Sequence, residues 1–236
     1  MRIGILNADR LDSEVAAQYG DYAQMFMRLF ARLERNIAFR VYQTIDGETP
    51  ATVDECDAWL ITGSRASCYE DLPWMNQLRA FILSVHAARR KLIGICFGHQ
   101  LIAHTLGGET RKSGKGWGIG VASAAVEGTP GWMRTPVSTF SLLMSHQDQV
   151  VTLPPQALLI AGNDFCPNGS FQLAQHVLTF QGHPEFSTDY LRTIVQANGE
   201  QIGAARCREA LASLSQPTDD RRVAEWIVDF IDYDLT

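Results

Sequence analysis

The sequence predicts an α/β protein built on a mostly parallel sheet covered by helices. Three observations carry this expectation. Short, largely apolar runs recur at residues 3–6, 58–62 and 92–95, and such runs are the mark of strands buried on both faces. They alternate with stretches of helical apolar spacing, the pattern that places helices over a parallel sheet. One run leads at once into a cysteine framed by glycines and then into a helix, Gly94-Ile95-Cys96-Phe97-Gly98.

Taken in order, residues 2–6 form the first strand, and the polar stretch 7–20 is expected as a loop. Asp21 with Gln24 makes an N-cap pair. Tyr22, Met25, Phe26, Leu29, Phe30 and Leu33 then describe an amphipathic helix to about residue 35. Residues 39–42 give a second strand and 46–54 a loop. Residues 58–62 give a third strand running into Gly63-Ser64. Pro73 suits the first turn of a helix that ends near residue 90. The run at 92–95 is the fourth strand, and Gln100, Leu101, Ala103 and Leu106 continue it as a helix stopped by Gly107-Gly108.

From residue 108 the texture changes. Gly114, Gly116, Gly118 and Gly120 surround Trp117, and short antiparallel strands are expected to about residue 143. These glycines fit neither phosphate-binding pattern. Segment 114–136 is read as an ordinary strand extension, with a wall of a substrate cleft as the alternative. Further strands are expected at 158–161, 171–174 and 177–180. Ser187 caps a helix to about residue 197, and two more helices follow at 200–214 and 219–232. The whole of 1–236 is expected as one domain, with a helical C-terminal extension at about 199–236.

Composition narrows the function. The chain of 236 residues is 46% hydrophobic and carries a formal net charge of −6, without a run of Lys or Arg. A nucleic-acid surface built on general basicity is therefore not expected. No stretch approaches the ~20 apolar residues of a membrane span, and the N-terminal apolar run is too short for a signal peptide. Five cysteines, Cys56, Cys68, Cys96, Cys166 and Cys207, show no paired spacing, which suits a reducing compartment. A cytoplasmic protein is the expectation.

The chemistry centres on Cys96. A G-x-nucleophile-x-G turn needs small neighbours because the nucleophile takes a strained backbone conformation against an adjacent strand and helix. The helix N-terminus favours a thiolate, and the N–H of Phe97 points where an oxyanion would form. Of six histidines, His86 is expected to be solvated, His99 and His104 share a helix without a zinc motif, and His176 has no local partner. His183 follows a glycine at the end of an apolar strand. Glu185 lies two residues on, on the same side of an extended segment, where it can orient the imidazole.

These motifs, Gly94 to Gln100, then Ser145-His146-Gln147-Asp148, then Gly182-His183-Pro184-Glu185, in this order, resemble the class I glutamine amidotransferases, most of all the amidotransferase portion of GMP synthase. The likeness spans roughly residues 3–195. It implies a three-layer flavodoxin-like domain with an antiparallel extension. It also implies a triad of Cys96 as nucleophile, His183 as general base and acid, and Glu185 as orienter. Gly63 would join Phe97 in the oxyanion hole. Gln100, Ser145, His146, Gln147 and Asp148 would hold the amino-acid end of the substrate, with a backbone contact as the alternative for His146. No metal or organic cofactor is implied. Two departures concern the pocket: the loop reads Thr62-Gly63-Ser64-Arg65 where the family often has two glycines and a proline, and Gln147 replaces a common glycine.

The implied reaction is hydrolysis of the γ-amide of glutamine through a γ-glutamyl thioester, releasing glutamate and ammonia for a separate synthetase. A free-standing hydrolase of γ-glutamyl peptides or amides is the alternative, and a non-catalytic module is a third reading that the intact triad weighs against. Arg65, Tyr69 and Glu70 are read as a solvated loop, with substrate contact as the alternative. Cys56, Cys68, Cys166 and Cys207 are read as structural thiols, and Trp59 and Trp74 as core.

Overall fold

A computed structural model describes residues 1–233. Strand β1 (Arg2–Asn7) is followed by helices α1 (Ser13–Tyr19) and α2 (Tyr22–Ala31), then β2 (Ala38–Gln43), β3 (Ala58–Ile61), α3 (Pro73–Ala87), β4 (Lys91–Ile95) and α4 (Phe97–Thr105). Six strands come next: β5 (Glu109–Lys112), β6 (Gly118–Val126), β7 (Thr139–His146), β8 (Asp148–Thr152), β9 (Ala157–Gly162) and β10 (Ser170–Leu173). Strand β11 (Val177–Phe180) and helices α5 (Thr188–Ala197), α6 (Gly199–Ile202), α7 (Ala204–Ser213) and α8 (Asp220–Asp232) complete the order.

The main sheet runs β2-β1-β3-β4-β11-β10-β9-β6-β7. Its first five strands are parallel, and β10, β9, β6 and β7 add antiparallel pairs. This is the expected mostly parallel α/β sheet with an antiparallel extension. A separate ribbon pairs β5 with β8.

Apolar side chains explain the layers. Phe26 and Phe30 of α2 and Trp226, Ile227 and Phe230 of α8 cover one face of the sheet with Ile3, Ile5, Leu60 and Ile93. Leu78, Ile82 and Val85 of α3 and Leu101 and Ile102 of α4 cover the other with Trp59 and Leu92. Trp59 is fully buried and Trp74 packs partly buried against the same cluster. A third cluster joins α5 and α7 to Tyr22 and Phe186.

Local signals held where they had a mechanism. Asp21 and Gln24 close a reciprocal capping box at α2, Pro73 starts α3, and the Ser187 hydroxyl accepts the N–H of Tyr190 at the head of α5. Four expectations need correction. Stretch 7–20 is not all loop: α1 forms there although it buries no residue, so no apolar stripe announces it. Strand β8 was not expected, because its pairing with β5 and its exposed Val151 give it no buried-strand pattern. The helix expected at 200–214 breaks at Gly203, whose φ of +88° is left-handed. His86 is not simply solvated, since its Nδ1 lies 2.9 Å from Nε2 of His176.

Candidate active site

The C-terminal ends of parallel strands are where an open α/β sheet binds ligands, and β1, β3, β4 and β11 all deliver chemistry there. Cys96 sits between β4 and α4 with φ 52° and ψ −102°. That is a strained conformation for a residue with a side chain, of a kind that costs ~1–3 kcal/mol and is found at functional sites. The glycines on either side are required by space. A Cβ on Gly94 would come within 2.7 Å of the Gly98 backbone, and one on Gly98 within 2.5 Å of the Ile61 carbonyl oxygen. Phe97 heads α4, so its N–H has no partner inside the helix.

His183 follows β11 and is anchored by its own N–H, which donates to the Leu143 carbonyl at 2.8 Å. Its Nδ1–H donates to Glu185 Oε1 at 2.8 Å, and both side chains are buried. The imidazole lies flat on Phe186, with centroids 3.8 Å apart and planes inclined by 11°. Burial works against a charged ring. The Glu185 carboxylate and the hydrogen-bonded Cys96 outweigh it, and the His183 pKa is raised to about 10. The surroundings of His183 thus favour the protonated imidazole.

Gly63 lies against this pair. A Cβ there would sit 2.9 Å from His183 Cε1 and 3.8 Å from Cys96 Cβ, so this backbone approaches as only glycine allows. The loop is pinned from β1. Ala8 N–H donates to Thr62 Oγ1 at 2.9 Å, and Arg65 N–H donates to the buried carboxylate of Asp9 at 2.8 Å.

Cys96, Gln100, Ser145, Gln147, Asp148 and His183 line one cleft of about 540 Å³. A cavity of about 600 Å³ on the far side of Glu185 reaches neither Cys96 nor His183, so the first cleft is the candidate site. Gln100 Nε2 donates to the Asp148 carbonyl at 2.9 Å and to Gln181 Oε1 at 3.0 Å, fixing the end of the 145–148 segment. His146 does not line the cleft. It is buried behind that segment, with Nδ1–H donating to the Asp148 carbonyl at 2.9 Å. Burial pushes its pKa down to about 4, which keeps it a neutral brace. The backbone contact is therefore the one of its two expected roles that this placement supports.

The cleft also has walls that the motifs did not reveal. Leu11, Asp12 and Val15 around α1 and Thr193, Ile194 and Asn198 around α5 form one side. Lys112 and Trp117 form another, so the ribbon before β6 reaches the cleft while 118–126 is ordinary strand. Arg65 and Tyr69 also line it, as does Tyr22, which stacks on Phe186. Asp9 had one available signal: an acidic residue just beyond the C-terminal end of a buried strand. Residues Cys56, Cys68, Cys166 and Cys207 are free thiols, the first three buried; burial raises Cys68 and Cys166 to about 12.

Fold and site together define an α/β protein with a cysteine held on a strand–helix turn beside a His–Glu pair. Residues 16–199 match the glutamine amidotransferase class-I family, and the chain belongs to that family of enzymes. A glutamine amidotransferase-like protein of Schizosaccharomyces pombe is 33% identical across 97% of this chain and 98% of its own length. Gamma-glutamyl peptidase 3 of Arabidopsis thaliana is 31% identical across 78% of this chain and 77% of its own. The GMP synthase of Bacillus pumilus is 27% identical across 74% of this chain but only 34% of its own length. Among solved structures, a glutamine amidotransferase from Thermotoga maritima superposes with a TM-score of 0.74 at 17% identity, covering 98% of this chain and 95% of the other. No helix among the described residues is long and apolar enough to cross a membrane.

Proposed function

We propose that the protein hydrolyses γ-glutamyl peptides by itself, with Cys96, His183 and Glu185 as its triad. The cleft carries this reading. At about 540 Å³ it lies in the ~300–1,000 Å³ range of sites for drug-sized ligands, and it continues past His183 to α1 and α5. Relatives named gamma-glutamyl peptidases support it across about three quarters or more of the chain.

The chemistry is acyl transfer. The Cys96 thiolate attacks the γ-carbonyl carbon, forming the C–S bond and moving the π electrons onto oxygen. The N–H groups of Gly63 and Phe97 take that oxyanion, each such donor being worth about 3–4 kcal/mol. The His183 imidazolium protonates the leaving nitrogen as the C–N bond breaks. Water then loses a proton to His183 and attacks the thioester, releasing glutamate and restoring the thiolate–imidazolium pair. The backbone of 145–148 and Oε1 of Gln100, which the two bonds from Nε2 leave unused, would hold the amino-acid end.

A second reading, glutamine hydrolysis releasing ammonia to a separate synthetase, draws on the likeness to GMP synthase. Glutamate release by the purified protein from γ-glutamyl dipeptides and from L-glutamine separates the two, with Cys96→Ser as control. Fast peptide turnover, lost in C96S, is the expected result. A protein silent on all of them, whose thiol is still alkylated by a γ-glutamyl electrophile, would favour the synthetase-dependent reading instead.

A further inference from the structure

Two chemically different groups of residues line the cleft beside Cys96. On one side stand Gln100, Asp148 and Tyr69, tied together by Gln100 Nε2 to the Asp148 carbonyl and Tyr69 OH to Asp148 Oδ1 at 3.2 Å. On the other stands His183, stacked on Phe186, which stacks in turn on Tyr22; Tyr22 and Tyr190 join hydroxyls at 3.2 Å. The leaving nitrogen takes its proton from His183. The leaving half of the substrate must therefore begin on the His183 side.

Arg65 is the cation of that side. It stands two residues beyond Gly63, whose backbone packs against His183, and its side chain lines the cleft together with Tyr22 and Tyr190 while remaining 60% exposed. It is also held at one edge only. Nε donates to Asp9 Oδ2 at 3.2 Å, and Nη2 donates to Asp9 Oδ1 at 3.2 Å and to the Arg10 carbonyl at 2.5 Å. Among the described residues Nη1 makes no hydrogen bond; it has only a long ion pair, 3.8 Å, with Asp12, a carboxylate that is 80% exposed. One buried acid thus orients the planar fork and leaves one nitrogen to be claimed. A guanidinium fixed in this way loses less freedom when it takes an anion than a lysine would.

We propose that Arg65 Nη1 binds the carboxylate of the leaving residue in a γ-glutamyl peptide, making Arg65 a specificity-determining residue. This rests on the peptidase reading above and adds its selectivity. In a γ-linked dipeptide the leaving residue carries its carboxylate on the carbon next to the scissile nitrogen, so the anion falls close to that nitrogen. L-glutamine has nothing there, and a C-terminal amide has no charge there.

The test compares kcat/KM for a γ-glutamyl dipeptide acid, the same dipeptide as its C-terminal amide, and L-glutamine, in the wild type, Arg65→Met and Arg65→Lys. In the wild type the acid should exceed the amide by about tenfold or more, the span of a charge-assisted hydrogen bond. R65M should lose that preference through KM while changing the amide and glutamine less than about threefold, and R65K should restore part of it. Both variants keep the backbone N–H that Asp9 holds. An equal fall on all three substrates would make Arg65 a structural part of the oxyanion loop and overturn the assignment. Wild-type turnover without an acid preference overturns the subsite alone. No peptide turnover at all overturns the peptidase reading and the subsite with it.

Discussion

The floor of the cleft and its walls are built to opposite standards. Cys96, His183 and Glu185 are 5%, 3% and 7% exposed, and the backbone around them closes so tightly that Gly63, Gly94 and Gly98 each lack room for a methyl group. On the walls, α1 buries none of its residues, Lys112 is exposed, and Arg65 is 60% exposed. Bond-making tolerates errors of about 0.5 Å, and the residues proposed for it stand at strand ends in tight packing. Choosing a leaving group tolerates more, and the residues proposed for it lie on elements that can change without unfolding the sheet.

The sharpest test of this contrast is the least exposed contact. Glu185→Gln keeps the shape but can hold His183 in the wrong tautomer and removes the negative charge that raises its pKa. In a Ser-His-Asp site the corresponding change costs about 10⁴ in kcat, and a loss of about 10²–10⁴ is expected here. The pH profile has a definite sign. With His183 as the proposed acid, activity should persist while it is protonated and fall as pH rises through its pKa of about 10. In E185Q the alkaline limb of kcat/KM should move toward neutral pH by more than one unit. A limb that stays in place would show that Glu185 does not set the charge of the triad.

Gly63→Ala comes next. Its Cβ would lie 2.9 Å from His183 Cε1, and the ring cannot retreat because Phe186 lies flat against it. The loop must move instead, carrying the Gly63 N–H away from the oxyanion. A fall of about 10–100-fold in kcat is expected, with KM and melting temperature little changed, measured by steady-state kinetics and thermal unfolding. Full activity in G63A would remove Gly63 from the proposed oxyanion hole.

The same division explains what the sequence disclosed. The parallel half of the sheet was legible because its strands are buried on both faces and read as apolar runs, as in Ala58–Ile61 and Lys91–Ile95. The cysteine turn was legible because its geometry excludes all but small neighbours. The walls lack such constraints. Helix α1 has neither a buried stripe nor a side-chain cap. Strand β8 takes its place from β5 rather than from a core. Arg65 gains its orientation from Asp9, 56 residues earlier; no local pattern reports a partner that only the fold brings near. His86 and His176 are 90 residues apart and were missed as a pair for the same reason.

The smallest effect belongs to the wall itself. Tyr19, the last residue of α1, shares a hydrogen bond of 2.9 Å with Thr193 Oγ1 on α5 and donates a longer one, 3.4 Å, to the Asp189 carbonyl, so its hydroxyl joins the two helices along one side of the cleft. A hydrogen bond of this kind is worth ~0.5–1.5 kcal/mol. Tyr19→Phe removes it and keeps the ring that packs at 5.2 Å from Tyr190. If α1 positions only the leaving half, KM for a γ-glutamyl peptide should rise about two- to tenfold while kcat stays constant, and glutamine hydrolysis should not change. An equal change for peptide and glutamine would mean that α1 reaches the triad, and the separation of rigid floor from adaptable wall would fail at the point where it is weakest.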